Sequence, residues 1–159
     1  MRLTIMTDYA MRLLMHVGNH PDRLCTISEI AQAHAISEPH LMKVTHRLAQ
    51  DGWLQTIRGK NGGMRLAKPP REIRLGDVVR CTENDMALVE CMGAGSLCSL
   101  NGRCRLTGIM QHALAAFLEQ LDRHTLADIL TAADAQNDNA TKDGAPALPL
   151  RELGAARQT

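Results

Sequence analysis

Cys91, Cys98 and Cys104 are separated by six and by five residues in a polar stretch that also holds Gly93, Gly95 and Gly102. Thiolates are soft donors that select zinc, copper(I) or iron–sulfur clusters, and three of them on one glycine-containing loop can converge on a single centre. Structural zinc sites draw on tighter cysteine pairs, and no two of the five cysteines stand that close here. An iron–sulfur cluster is therefore the expected occupant, with zinc as the alternative. Three cysteines leave one position to a non-cysteine ligand, which makes a cluster more labile and suits a sensor better than an electron carrier. Cys25, just before a helix start, and Cys81, on a short helix, read as packing residues.

The elements that would carry this loop follow from hydrophobic spacing. Met6, Ala10, Leu13, Leu14 and Val17 recur at helical intervals over 5–19, and His20-Pro21-Asp22 breaks the pattern. Thr26 and Glu29 form a capping box that opens a helix over 27–34, with Ile27, Ile30 and Ala31 inward. A turn at 34–36 leads to Ser37, an N-cap for a helix over 38–50 with Leu41, Val44 and Leu48 on one face. Two helices joined by so short a turn are a helix–turn–helix unit. Residues 53–57 and 64–67 then alternate as strands around the glycine-rich turn 58–63, a hairpin wing.

Beyond Pro69 and Pro70 the pattern predicts a short helix over 75–81, an irregular segment over 82–104, and a long helix from Leu106. The stripe Leu106, Ile109, Met110, Ala113, Leu114, Phe117, Leu118 and Leu121 is wider than one small domain can bury. A last short helix is expected over 125–132. The resulting division is a DNA-binding domain over 1–80, a cluster-binding region over 81–104, a long helix and terminal helix over 105–133, and a disordered tail over 134–159. The fold class is mainly α with a small β-hairpin: a winged helix–turn–helix plus one long helix, which the family resemblance given below implies is a dimerisation helix. Aromatic residues are only 2% of the chain, so the core must be aliphatic, which agrees with helices.

Net charge is +1, but residues 37–80 hold nine Lys/Arg against four Asp/Glu, a local +5. A basic middle on a near-neutral chain is a localised anion-binding face rather than a general polycation. The outward residues of the 38–50 helix are His40, Lys43, His46 and Arg47, with Ser37 at its start, and they suit guanine edges and phosphates. At the wing, Arg58, Lys60, Asn61, Gly62 and Gly63 combine basic side chains with a backbone that can approach DNA closely. The expected partner is a double-stranded DNA operator.

No basic segment leads into an apolar run at the N-terminus, and no apolar run approaches membrane-spanning length, so the expectation is a cytoplasmic protein without a membrane partner. No paired acid and base or activated nucleophile marks an enzyme. A small redox carrier and a zinc-stabilised DNA binder without a sensing role are the other classes that the cysteines allow.

MRLTIMTDYAMRLLM, ISEIAQAHAISEPHLMKVTHRL, TIRGKNGGMRLAKP and IRLGDVV, together with the cysteine loop, resemble the Rrf2 family of bacterial regulators over roughly residues 1–131. The resemblance implies a homodimeric transcription repressor whose long helix after the cysteine loop forms the subunit interface. It also implies an iron–sulfur cluster, [4Fe-4S] ahead of [2Fe-2S]. The branch that regulates iron–sulfur assembly has a His three residues after the last cysteine, where this chain has Thr107. The nitric-oxide-sensing branch lacks that His and recruits a carboxylate near the N-terminus, and Asp8 stands at the matching place. Asp8 of the partner subunit is thus the implied fourth ligand, an ordinary first-turn charge being its other reading. Nitric oxide is the implied signal, and iron availability, sensed by a rhizobial branch that also lacks the His, is the alternative.

Overall fold

Helix α1 (Ile5–Gly18) begins at Thr4, whose hydroxyl accepts the Thr7 N–H, and it turns Ala10, Leu13, Leu14 and Val17 into the core. The computed structural model describes residues 2–93, 98 and 103–130; the expected tail over 134–159, Gly95, Gly102 and the end of the 125–132 segment lie outside the described residues. Helix α2 (Ile27–His34) is capped by the Thr26 hydroxyl, which accepts the Glu29 N–H. It ends at Ala35, which holds a left-handed φ of 53°. Helix α3 (Glu38–Gln50) follows from Ser37.

Strands β1 (Leu54–Ile57) and β2 (Gly63–Leu66) pair antiparallel, with Leu54 opposite Leu66 and Ile57 opposite Gly63. The free edge of β2 is met by Cys25, whose N–H donates to the Met64 carbonyl at 2.9 Å while the Met64 N–H returns a 2.8 Å bond. A 3-10 turn (Pro70–Glu72) leads into helix α4 (Leu75–Thr82). A second 3-10 turn (Glu90–Met92) precedes helix α5 (Arg105–Asp122), and a third covers Leu126–Ile129.

One aliphatic core joins these pieces: Leu13 and Leu14 of α1, Ile30 of α2, Leu41, Val44 and Leu48 of α3, Met64 of β2, Val78 of α4, and Leu126. Each large aliphatic side chain buried there contributes about 1.5–3 kcal/mol. The expected helix over 125–132 is instead the short 3-10 turn, because that stretch of chain is tied to the start of α4. The Leu75 N–H donates to the His124 carbonyl at 3.0 Å, and the Leu126 N–H donates to the Ile73 carbonyl at 2.8 Å. Those bonds hold Thr125 extended, and by Leu130 the backbone is extended again.

Two polar contacts set how α4 sits. Against α1, buried Thr7 and Thr82 place their hydroxyls 2.7 Å apart. Glu83 accepts from the Thr4 N–H at 2.7 Å, from the Thr4 hydroxyl at 3.0 Å, and from the Thr7 hydroxyl. A carboxylate at a helix N-terminus is favourably placed. Against α5, Arg80 grips Asp122 with two hydrogen bonds of 2.7 and 2.6 Å. Gly76 lies beside this pair, and any Cβ there would strike the Asp122 carboxylate.

Burial alone would raise the pKa of Glu83, but the Thr7 and Thr4 donors outweigh it and hold the carboxyl below its ordinary value. The sign follows: a depressed folded pKa contributes stability above the unfolded value of about 4.3, and this is lost as pH falls through the folded value. Urea unfolding should therefore show Glu83→Gln less stable than the parent at neutral pH, with the gap closing in acid.

Candidate nucleic-acid interface and cysteine centre

Helix α3 presents the side chains its pattern predicts. Leu41, Val44, Thr45 and Leu48 are buried, and Ser37, His40, Lys43, His46 and Arg47 are exposed on the opposite side. Ser37 occupies the N-cap position, yet its hydroxyl makes no capping bond. It instead pairs with His40 Nδ1 at 2.8 Å, which orients that imidazole at the head of α3. Tyr9 of α1 tilts against His40 with ring centroids 6.1 Å apart.

Arg47 has a structural partner that periodicity alone hides. It donates to Asp51 at 3.1 Å, and Asp51 also accepts from the Cys81 thiol of α4. Cys81 is therefore a half-exposed hydrogen-bonding residue rather than the packing residue expected. Burial first, and then the Asp51 carboxylate, push its thiol pKa up, so it stays protonated and can donate. The four-residue spacing of Arg47 and Asp51 was a readable signal; the approach of Cys81 was not.

In the wing, Arg58, Lys60 and Asn61 are exposed at the tip, while Gly62 and Gly63 lie half-buried at its base. Gly59 adopts a φ of +116°, a conformation that L side chains rarely hold, and so lets the tip turn within six residues. Arg65 on β2 reaches back to Gln55 at 2.8 Å and stiffens the hairpin.

Two of the three loop cysteines lie at the start of α5. Cys104 takes the N-cap position of α5. The backbone N–H groups of Thr107 and then Leu106 hold its thiol below the usual cysteine range. Cys91, on the Glu90–Met92 turn, lies 3.3 Å from the Thr107 hydroxyl through its Sγ. Cys98 is exposed. A sulfur at a helix N-terminus is stabilised as thiolate, the form that metal ligation requires. These donors fit a sulfur-ligated iron centre, and Thr107 stands among them as a hydroxyl rather than an imidazole. Asp8, on the first turn of α1, is exposed and pairs with Arg12 at 3.1 Å. An exposed pair of this kind is worth only about 0–1 kcal/mol, so it is readily exchanged.

Two helices joined at Ala35, with the second exposing a basic face and followed by a basic hairpin, define a winged helix–turn–helix DNA-binding protein. The family model for Rrf2, described as an iron-dependent transcriptional regulator, matches residues 3–132. This chain belongs to the Rrf2 family. It is 49% identical over 132 residues to the HTH-type transcriptional regulator NsrR of Geobacillus kaustophilus, covering 82% of this chain and 90% of that one. It is 46% identical over 136 residues to NsrR of Halalkalibacterium halodurans, covering 84% and 93%. Among solved structures, it resembles CymR, the global cysteine regulator of B. subtilis, with a TM-score of 0.63 and 25% identity over 81% of this chain and 95% of that one. These relatives are transcriptional regulators, not enzymes.

If Lys43 and Arg58 neutralise phosphates, Lys43→Ala and Arg58→Ala should each weaken binding to all duplex sequences. Each should also reduce the slope of log affinity against log salt by about 0.9 for every phosphate left without its cation, measured by fluorescence anisotropy. In the turn, Ala35→Gly should stabilise the fold by about 0.5 kcal/mol, since an exposed alanine in the left-handed region is strained; urea unfolding reads this directly.

Proposed function

We propose that this chain is a dimeric transcription repressor that reads its operator through α3 and the wing and releases it in response to nitric oxide. An iron–sulfur cluster, [4Fe-4S] ahead of [2Fe-2S], would be held by Cys91, Cys98 and Cys104, with Asp8 of the partner subunit as the fourth ligand. The observation that carries this reading is that Cys91 meets Thr107 at 3.3 Å in the first turn of α5, the helix whose N-cap position Cys104 occupies. It occurs in a chain that is 43–49% identical to regulators named NsrR. When bound, the cluster supplies iron that nitric oxide can ligate.

The residues of this chain supply the coupling. Cys104 occupies the N-cap position of α5, so a change in its ligation acts on the start of an 18-residue helix. At the far end of that helix, Asp122 is gripped by Arg80 of α4. One residue further along α4, Cys81 donates to Asp51, the partner of Arg47 on the reading helix. A continuous set of contacts thus joins the cysteine end to the DNA face. The exposed apolar edge of α5, where Leu106 and Ile109 are 54% and 63% exposed, supports a second copy packing there.

An iron-availability sensor is the second reading, favoured by the description of the family as iron-dependent. Anaerobically prepared protein should carry iron and retard operator DNA. Nitric oxide should then weaken binding by about 5–150-fold, and Asp8→Ala should lower cluster stability while sparing the fold. Release by mild iron chelation with no response to nitric oxide would select the second reading. A colourless, iron-free protein that binds DNA equally well would exclude both.

A further inference from the structure

A second group of potential ligands lies away from the cysteine loop. His16 in the last turn of α1, His20 just beyond its end, and buried Cys25 bring one donor atom each to within 4.8 Å of one another. The histidines are four residues apart, and their rings stack with centroids 4.8 Å apart. We propose that His16, His20 and Cys25 form a binding site for a zinc-class divalent ion, separate from the cysteine loop.

The hydrogen bonds around the three residues are those that a metal site needs. His20 Nδ1 lies 2.7 Å from the His16 carbonyl, an acceptor, so Nδ1 carries the proton and Nε2 keeps its lone pair. His16 Nε2 lies 3.3 Å from a carboxylate oxygen of Glu29, which selects the tautomer with a free lone pair on Nδ1. Metal-binding histidines are generally oriented in this way, by a backbone carbonyl or a carboxylate on the other ring nitrogen. Arg23 holds the Glu29 carboxylate from the other side at 2.7 Å.

Nitrogen and sulfur donors in a tetrahedral zinc site stand about 3.2–3.8 Å apart, so atoms within 4.8 Å of one another need to close by at most about 1–1.6 Å. On binding, Cys25 would release its thiol proton to solvent and become the anionic ligand. Water would take the fourth position. A third imidazole, His34, stands edge-on to His16 with centroids 5.4 Å apart. Its Nε2 is buried and makes no hydrogen bond among the described residues. An ion at this site would staple the end of α1 to the Cys25 backbone, which pairs with Met64 of the wing.

The test uses the full chain carrying Cys91→Ser, Cys98→Ser and Cys104→Ser, so that the loop cannot compete. Titration with Co2+ should give one equivalent bound, with a thiolate-to-cobalt absorption band and the d–d bands of a four-coordinate ion, both lost when Zn2+ is added. His20→Gln and His16→Gln in that background should each lower the affinity by more than the roughly 10–100-fold typical of an outer-shell change. Glu29→Gln should fall within that range, with circular dichroism verifying the fold of each variant. Thermal unfolding should shift upward with Zn2+ in the triple-serine chain and not in His20→Gln. Absence of the thiolate band, or equal affinity in His20→Gln, would overturn the site, and neither result bears on the cluster.

Discussion

Burial of one face of α1 is the constraint from which the rest of the molecule follows. Ala10, Leu13, Leu14 and Val17 meet α2, α3, β2, α4 and the Leu126 turn in a common core. With three aromatic residues in the whole chain, that core is built from branched aliphatic side chains. Aliphatic packing of this kind is non-directional, so angles between elements must be set by something else. The directional contacts lie at the rim of the core: Thr7, Thr82 and Glu83 between α1 and α4, and Arg80 with Asp122 between α4 and α5. Helix α1 thereby orients the exposed basic side of α3 directly and the cysteine-bearing start of α5 through α4.

Electrostatics divide these two parts. The basic face of α3 and the wing stays exposed because the aliphatic side of each element satisfies the core, leaving Lys43, His46, Arg58 and Lys60 in solvent. Arg47 differs from its neighbours on α3. Its bond to Asp51, which Cys81 shares, places a side chain suited to DNA in contact with the helix that leads toward α5. A charge pair that is half-exposed can be exchanged at little cost.

The cysteines show how little a residue type says without its surroundings. Cys104 sits at a helix N-terminus where backbone N–H groups favour the thiolate, whereas burial is the main influence that raises the pKa of Cys25. Cys81 is held protonated by burial and by a neighbouring carboxylate that accepts its bond. In sequence, the first was distinguished by two companions on one polar loop. The other two had no local signal, because His16 and His20 flank a chain reversal from Cys25, and Asp51 lies thirty residues from Cys81.

Local patterning determined much of this protein. The limits of α2 and α3, the hairpin, the buried side of α1 and the exposed side of α3 all follow from spacing, caps and turn residues, since these act within a few residues of one another. The motifs also carried the family. Tertiary structure decided what depends on distant segments meeting: the 3-10 turn over Leu126–Ile129 in place of a helix, forced by bonds to Ile73 and Leu75; the contact of Thr107 with Cys91; the Arg47–Asp51–Cys81 link; and the gathering of His16, His20 and Cys25. Periodicity reports which side of an element is apolar. It cannot report which distant polar group lies opposite, because that depends on how the aliphatic faces dock.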